Sequence, residues 1–209
     1  MKDDENTPSL PSWGETDLWK SLSTSNKPDA SRVADVVKQW MPQIETVLRQ
    51  GGTSPTDFTL HDDGHAYRVA QRMVEIMPPE TLDGLTPYEL AFLLLSAYLH
   101  DIGMTPEQRK VSLHYQYLLT GEQDDLSEQE VSEFQRWLDD DQDAIMPPLC
   151  EGAPTPKQLG RANRLVTHYC RHRHNDWSAD WIQKNSPAVP GGGSAPLAPN
   201  GIMSLWSSA

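Results

Sequence analysis

Apolar positions recur at helical spacing through the middle of the chain. Val33, Val36, Val37, Trp40, Met41, Ile44 and Leu48 predict a helix over 33–48, opened by Asp29 or Ser31 and ended by Gly51-Gly52. Val69, Met73, Ile76 and Met77 predict a second, starting at His65 and stopped by Pro78-Pro79. Thr86, Pro87 and Glu89 form a capping box with proline at the first helical position. The apolar run behind that box reaches Leu99 and His100, and Gly103 is a natural C-terminal stop. A fourth helix opens at Thr105-Pro106-Glu107 and runs to about Leu119. Ser127 and Glu130 box the start of a fifth, carrying Val131, Phe134 and Leu138. Leu159, Ala162, Leu165, Val166 and Tyr169 share one side of a sixth, from Pro156 or Lys157 to about His172, and Ser178–Ile182 starts another. Alternating strand runs and internal repeats are missing, so the expected fold is all-α.

The breakers concentrate at the ends. Pro8, Pro11, Gly14 and Pro28 make residues 1–30 an extended, flexible arm in which Trp13, Leu18 and Trp19 pack only locally. Residues 31–184 form the helical domain. From 185 to 209 the Pro/Gly/Ala-rich composition loses all periodicity and reads as a flexible tail. A chain of 209 residues suits one domain with such ends.

Charge narrows the partners. A formal net charge of -13 repels a phosphate backbone, which argues against broad nucleic-acid binding. Much of this acidity reads as solvated helix ends, as at Asp124-Asp125 and Asp139-Asp140-Asp141. Cys150 and Cys170 are too few and too far apart for a disulfide scaffold or a zinc ribbon. The acidic first residues lack the apolar core of a signal peptide, and no run approaches the roughly 18 apolar residues of a membrane span. The expectation is a cytoplasmic protein with no membrane partner.

Chemistry gathers at Leu99-His100-Asp101-Ile102-Gly103. A His and an Asp at the end of a greasy helix are costly to bury without a partner, and a metal ion would satisfy both. His65 opens the preceding helix. If the two helices run antiparallel, the start of the first lies near the end of the second, which brings His65 to the doublet. Two imidazoles and a carboxylate with open positions suit a hydrolytic metal ion, which lowers the pKa of water and polarises a phosphoryl oxygen. His61, four residues before His65, falls on the loop ahead of Gly64 and can reach the same place. His114, His168 and His172 read as structural or surface residues.

At these residues the chain resembles the HD superfamily of metal-dependent phosphohydrolases. Leu60-His-Asp-Asp-Gly-His65-Ala-Tyr-Arg-Val69 is similar to its first ligand box, and Ala97-Tyr-Leu-His-Asp-Ile-Gly-Met104 to its central doublet. Arg171-His-Arg-His174-Asn-Asp-Trp-Ser178 looks like the Arg-x-x-His-x-x-x-Ser box of HD domains found upstream of Hsp90-like ATPase modules. The resemblance covers about residues 30–182 and implies an HD-type helical bundle. It implies metal ligands at His65, His100 and Asp101, with Asp101 also catalytic, and at His174 a further metal ligand or a phosphate contact. His61 becomes the general acid and Arg171 an anion clamp for the substrate. The bland reading of Arg171–Arg173, a basic helix end complementing the macrodipole, stays open. The implied cofactor is a divalent ion, Mn, Mg, Ni, Co or Fe. The implied substrate is a nucleotide or another phosphorylated small molecule.

The chain departs from the family at one point. HD domains complete the site with a second Asp in an apolar helix, and nothing after Ser178 fits. Asp176 is a stand-in, while Asp143 and Asp180 sit in polar surroundings. The chain therefore resembles the front of a longer protein with a missing C-terminal module, or one whose end has been replaced. Two alternatives follow: a catalytically incomplete nucleotide sensor working with an Hsp90-like ATPase, and a plain helical interaction domain. Imidazoles of His65 and His100 more than about 10 Å apart would promote the last over the other two, since ligands sit near 2 Å from a shared ion.

Overall fold

The computed structural model describes residues 12–49, 62–105, 110–141 and 145–187. Every regular element among them is helical: α1 (Asp17–Ser23), α2 (Ala30–Arg49), α3 (Asp63–Glu75), α4 (Pro79–Gly84), α5 (Pro87–Leu99), α6 (Val111–Thr120), α7 (Glu128–Asp141) and α8 (Pro156–Asn185). Short 3-10 turns occupy Trp13–Glu15 and Ile102–Met104. The all-α bundle expected from the spacing is the observed architecture.

Helix α5 is the axis of the first half. The Thr86 hydroxyl accepts from Glu89 N–H at 3.3 Å while the Glu89 carboxylate accepts from Thr86 N–H at 2.7 Å, so the predicted capping box closes. Leu90, Ala91, Leu94, Leu95, Tyr98 and Leu99 are buried against α1, α2 and α3. A fully buried leucine stabilises the fold by about 1.5–3 kcal/mol, which is why so apolar a helix goes to the centre. A second core gathers Met104 of the 3-10 turn with Leu118, Phe134, Leu138, Val166 and Tyr169 from α6, α7 and the first half of α8. Ile102 belongs to the first core and Met104 to the second, so the turn after the doublet is the seam between them.

Three expectations change. The described part of the N-terminal arm is not extended. Thr16 caps α1 by accepting from Trp19 N–H at 3.2 Å, and Trp13 meets Trp19 edge-on at 4.8 Å, the expected local packing. Leu18 and Leu22, however, are buried in the first core, and Asp17 N–H donates to Gln71 of α3 at 3.0 Å. Of the helix expected from Thr105 to Leu119, the structure describes Val111–Thr120, which follows Lys110 at φ 42 in the left-handed region; residues 106–109 lie outside the described residues. The helix expected to stop near His172 instead continues to Asn185, because Ser178, Trp181 and Ile182 are buried beyond the polar Arg-His run. No disulfide joins Cys150 and Cys170.

Leu18→Ala tests whether the arm is part of the domain. It removes a fully buried leucine and should lower the unfolding free energy by about 2–5 kcal/mol in urea denaturation; a loss under about 0.5 kcal/mol would make α1 dispensable.

Candidate metal centre

His65 stands in the first turn of α3, where its backbone N–H donates to the capping Asp62 carboxylate at 2.7 Å. Asp63, next in the chain and buried, accepts from Arg49 of α2 at 2.7 Å and fixes the same helix end. His100 caps α5, and Asp101 follows it into the 3-10 turn. The start of α3 and the end of α5 meet as the antiparallel reading requires. His65 and His100 rings lie 5.5 Å apart between centroids, well inside the separation of about 10 Å that would have promoted a plain interaction domain.

Asp101 is the hub. Its Oδ2 lies 2.7 Å from His100 Nε2 and 3.5 Å from His65 Nε2, and its Oδ1 lies 3.9 Å from His174 Nε2. Ligand atoms of His65, His100 and Asp101 all fall within 4.8 Å of one another. Ligands near 2.0–2.2 Å from one ion stand up to about 4 Å apart, so a small closure completes this set. His174 stands on the other side of the carboxylate, outside that trio.

The imidazoles are pre-oriented. His100 Nδ1 faces the Ala97 carbonyl at 3.1 Å, and His174 Nδ1 faces the Arg171 carbonyl at 2.6 Å. A carbonyl only accepts, so each Nδ1 carries the proton and each Nε2 is turned toward Asp101, the arrangement metal-binding histidines use. Burial opposes a charge on His100 most strongly, but the Asp101 hydrogen bond and charge, with the Ala97 and Ser96 backbone, outweigh it and raise its pKa. Burial, then the neighbouring His100, pushes His65 down against the pull of Asp101. One His favours a proton beside the carboxylate and the other resists it.

Helix α8 brings His174 to this place through a contact the sequence pattern did not disclose. Ser178, one turn beyond His174 and buried, accepts from Gly103 N–H at 3.0 Å and donates to the His100 carbonyl at 3.1 Å. Gly103 is not a helix stop. A Cβ there would lie 2.3 Å from the His174 carbonyl oxygen and 2.7 Å from Ser178 N, so only glycine admits the α8 backbone. The signal lay in the Arg-x-x-His-x-x-x-Ser spacing, which puts His174 and Ser178 on one face.

Other expected residues fall elsewhere. His61 and Asp143 lie outside the described residues. Arg171 has an exposed side chain and contributes its carbonyl to His174. Asp176 pairs with Arg173 at 2.8 Å with its side chain 62% exposed, and Asp180 is exposed, so neither supplies the second carboxylate. His114 is buried against Phe134 and Tyr169, while His168 and His172 are exposed.

A family model described as HD-CE matches residues 56–203, well over half of the chain. Comparison with curated proteins and with solved structures finds no match.

Three outcomes follow from the geometry and electrostatics of the site. Gly103→Ala should cost about 1–3 kcal/mol and weaken metal affinity together, by thermal melts with and without Mn(II), because the helix must back away. Gly160→Ala, with open space around it in the same helix, should instead stabilise by about 0.5–1 kcal/mol. The raised pKa of His100 gives the metal-free fold a contribution that is full below the unfolded histidine value and lost as pH rises through the folded value. Metal needs the same nitrogen unprotonated, so the melting-temperature gain from Mn(II) should grow from about pH 6 to about pH 8; a gain that shrank would contradict His100 as ligand.

Proposed function

Because the chain belongs to the HD-CE family, we propose that it is a metal-dependent phosphohydrolase acting on a nucleotide or another phosphorylated small molecule. The observation that carries the reading is the single carboxylate of Asp101 facing His65 and His100, whose ligand atoms converge. HD domains typically bind divalent metals, and this donor set fits one. Two imidazoles with a carboxylate suit Mn, Fe, Co or Ni better than Mg. The bound ion supplies Lewis acidity, lowering the pKa of water and polarising a phosphoryl oxygen.

The chain's own residues divide the remaining work. Asp101 orients the two imidazoles and holds negative charge at the centre. His174 lines the opposite side of its carboxylate, near enough to contact a phosphate oxygen or serve as a further ligand. Arg171, one turn before His174, is the anion clamp in this reading. His61 is the general acid that protonates the leaving oxygen.

A second reading has its own support. Asp176 is held by Arg173, and no other carboxylate among the described residues joins the trio. A site short of one ligand suits a nucleotide sensor that works with a partner such as an Hsp90-like ATPase module. No helix among the described residues is long and apolar enough to cross a membrane, and a cytoplasmic setting belongs to this proposal.

The test is turnover of a panel of nucleotides and nitrophenyl phosphate esters by protein loaded with Mn, Co, Ni or Mg. We expect His100→Ala and Asp101→Asn each to lower the rate by at least about 100-fold. Stoichiometric metal with no turnover across the panel would favour the sensor, and protein retaining no metal would sink both the metal centre and the hydrolase.

A further inference from the structure

The charge of this chain is unevenly distributed. No acidic residue stands between Gly152 and Asn175, in a chain with 30 of them, while Lys157, Arg161, Arg164, Arg171 and Arg173 all fall in that stretch. On α8, Lys157, Arg161, Arg164, His168 and Arg171 recur at spacings of four and three and are all exposed. At about 100° per residue they lie within about 80° of arc, opposite the face that buries Ala162, Val166 and Tyr169. From Lys157 to Arg171 this face spans about 21 Å of helix axis.

Arg173 lies off this face and shows how a basic residue is neutralised here, with Glu133 and Asp176 each at 2.8 Å. Lys157, Arg161 and Arg164 have no carboxylate within 4.0 Å among the described residues. The array also has a direction. It ends at Arg171, whose carbonyl holds His174 beside Asp101.

We infer that the exposed basic face of α8 is a track for a single-stranded nucleic acid whose phosphodiester backbone runs toward the His65–His100–Asp101 centre. A mononucleotide is too short to use about four helical turns, whereas a strand with a charge at every phosphate matches one cation per turn. The acidity of the remaining chain confines the contact to one helix face, so the expected binding is narrow, weak and salt-sensitive rather than broad. The inference rests on the phosphohydrolase reading for its direction and refines the substrate class to phosphodiesters.

The experiment is fluorescence anisotropy with the full chain and a labelled single-stranded oligonucleotide of about twelve nucleotides, starting at about 50 mM salt. The triple variant K157E/R161E/R164E should bind at least tenfold more weakly and lower the slope of log affinity against log salt by about 2, at about 0.7 per lost phosphate contact. The neutral K157Q/R161Q/R164Q should move the same way. K20E/K38E/R72E changes the net charge equally at exposed sites on α1, α2 and α3 and should change binding far less. Equal losses in both charge-reversed triples, no binding by the wild type, or a phosphorylated peptide captured in preference through the same three residues would overturn the track. Metal content, measured on the same samples, separates the two readings. An unbound strand with stoichiometric metal defeats the track alone, and a bound strand on protein that takes up no metal defeats the hydrolase.

Discussion

The close approach of α8 to the turn after the doublet is the contact on which the site depends. Gly103 leaves no side chain in the way, and Ser178 ties the two backbones by bonding to both Gly103 and His100. This seam also joins the two cores, since Ile102 faces one and Met104 the other, while α8 contributes Val166 and Tyr169 to the second and Trp181 and Ile182 to the first. The packing that holds the halves together thereby sets the register of His174 against Asp101. Site geometry and domain stability are coupled through one buried hydroxyl and one missing Cβ.

Within that frame the imidazoles are held by repetition of a simple device. His100 and His174 each give Nδ1–H to the carbonyl three residues earlier on their own helix, at Ala97 and Arg171. Helix geometry alone thus turns Nε2 inward without a second side chain. Asp101 uses one oxygen for His65 and His100 and the other toward His174, so the carboxylate organises both sides of the centre. These side chains are partly exposed, which leaves the site open to solvent.

Much of this was legible in the sequence for physical reasons. The capping boxes at Thr86 and Ser127 are local, so reading four residues suffices to place a helix start. The meeting of His65 with His100-Asp101 followed from reading two neighbouring apolar patterns as antiparallel helices, and the short α4 that the structure adds between α3 and α5 leaves that meeting intact. Contacts between distant segments were not legible. Gly103 looked like a stop because its partner, Ser178, lies 75 residues away. Leu18 and Leu22 stood among breakers and gave no sign that α2 and α5 would cover them. Asp176 looked available as a ligand, but Arg173 takes it at i+3. The basic positions of α8 share one arc by spacing alone, but that all of them stay exposed followed only from the packing of the opposite face.

Whether these side chains hold a metal ion is tested most directly by anomalous diffraction from crystals of the protein grown with Mn(II). A peak is expected about 2.0–2.3 Å from Nε2 of His65, Nε2 of His100 and a carboxylate oxygen of Asp101. A manganese peak elsewhere in the protein, or none at saturating metal, would contradict that expectation.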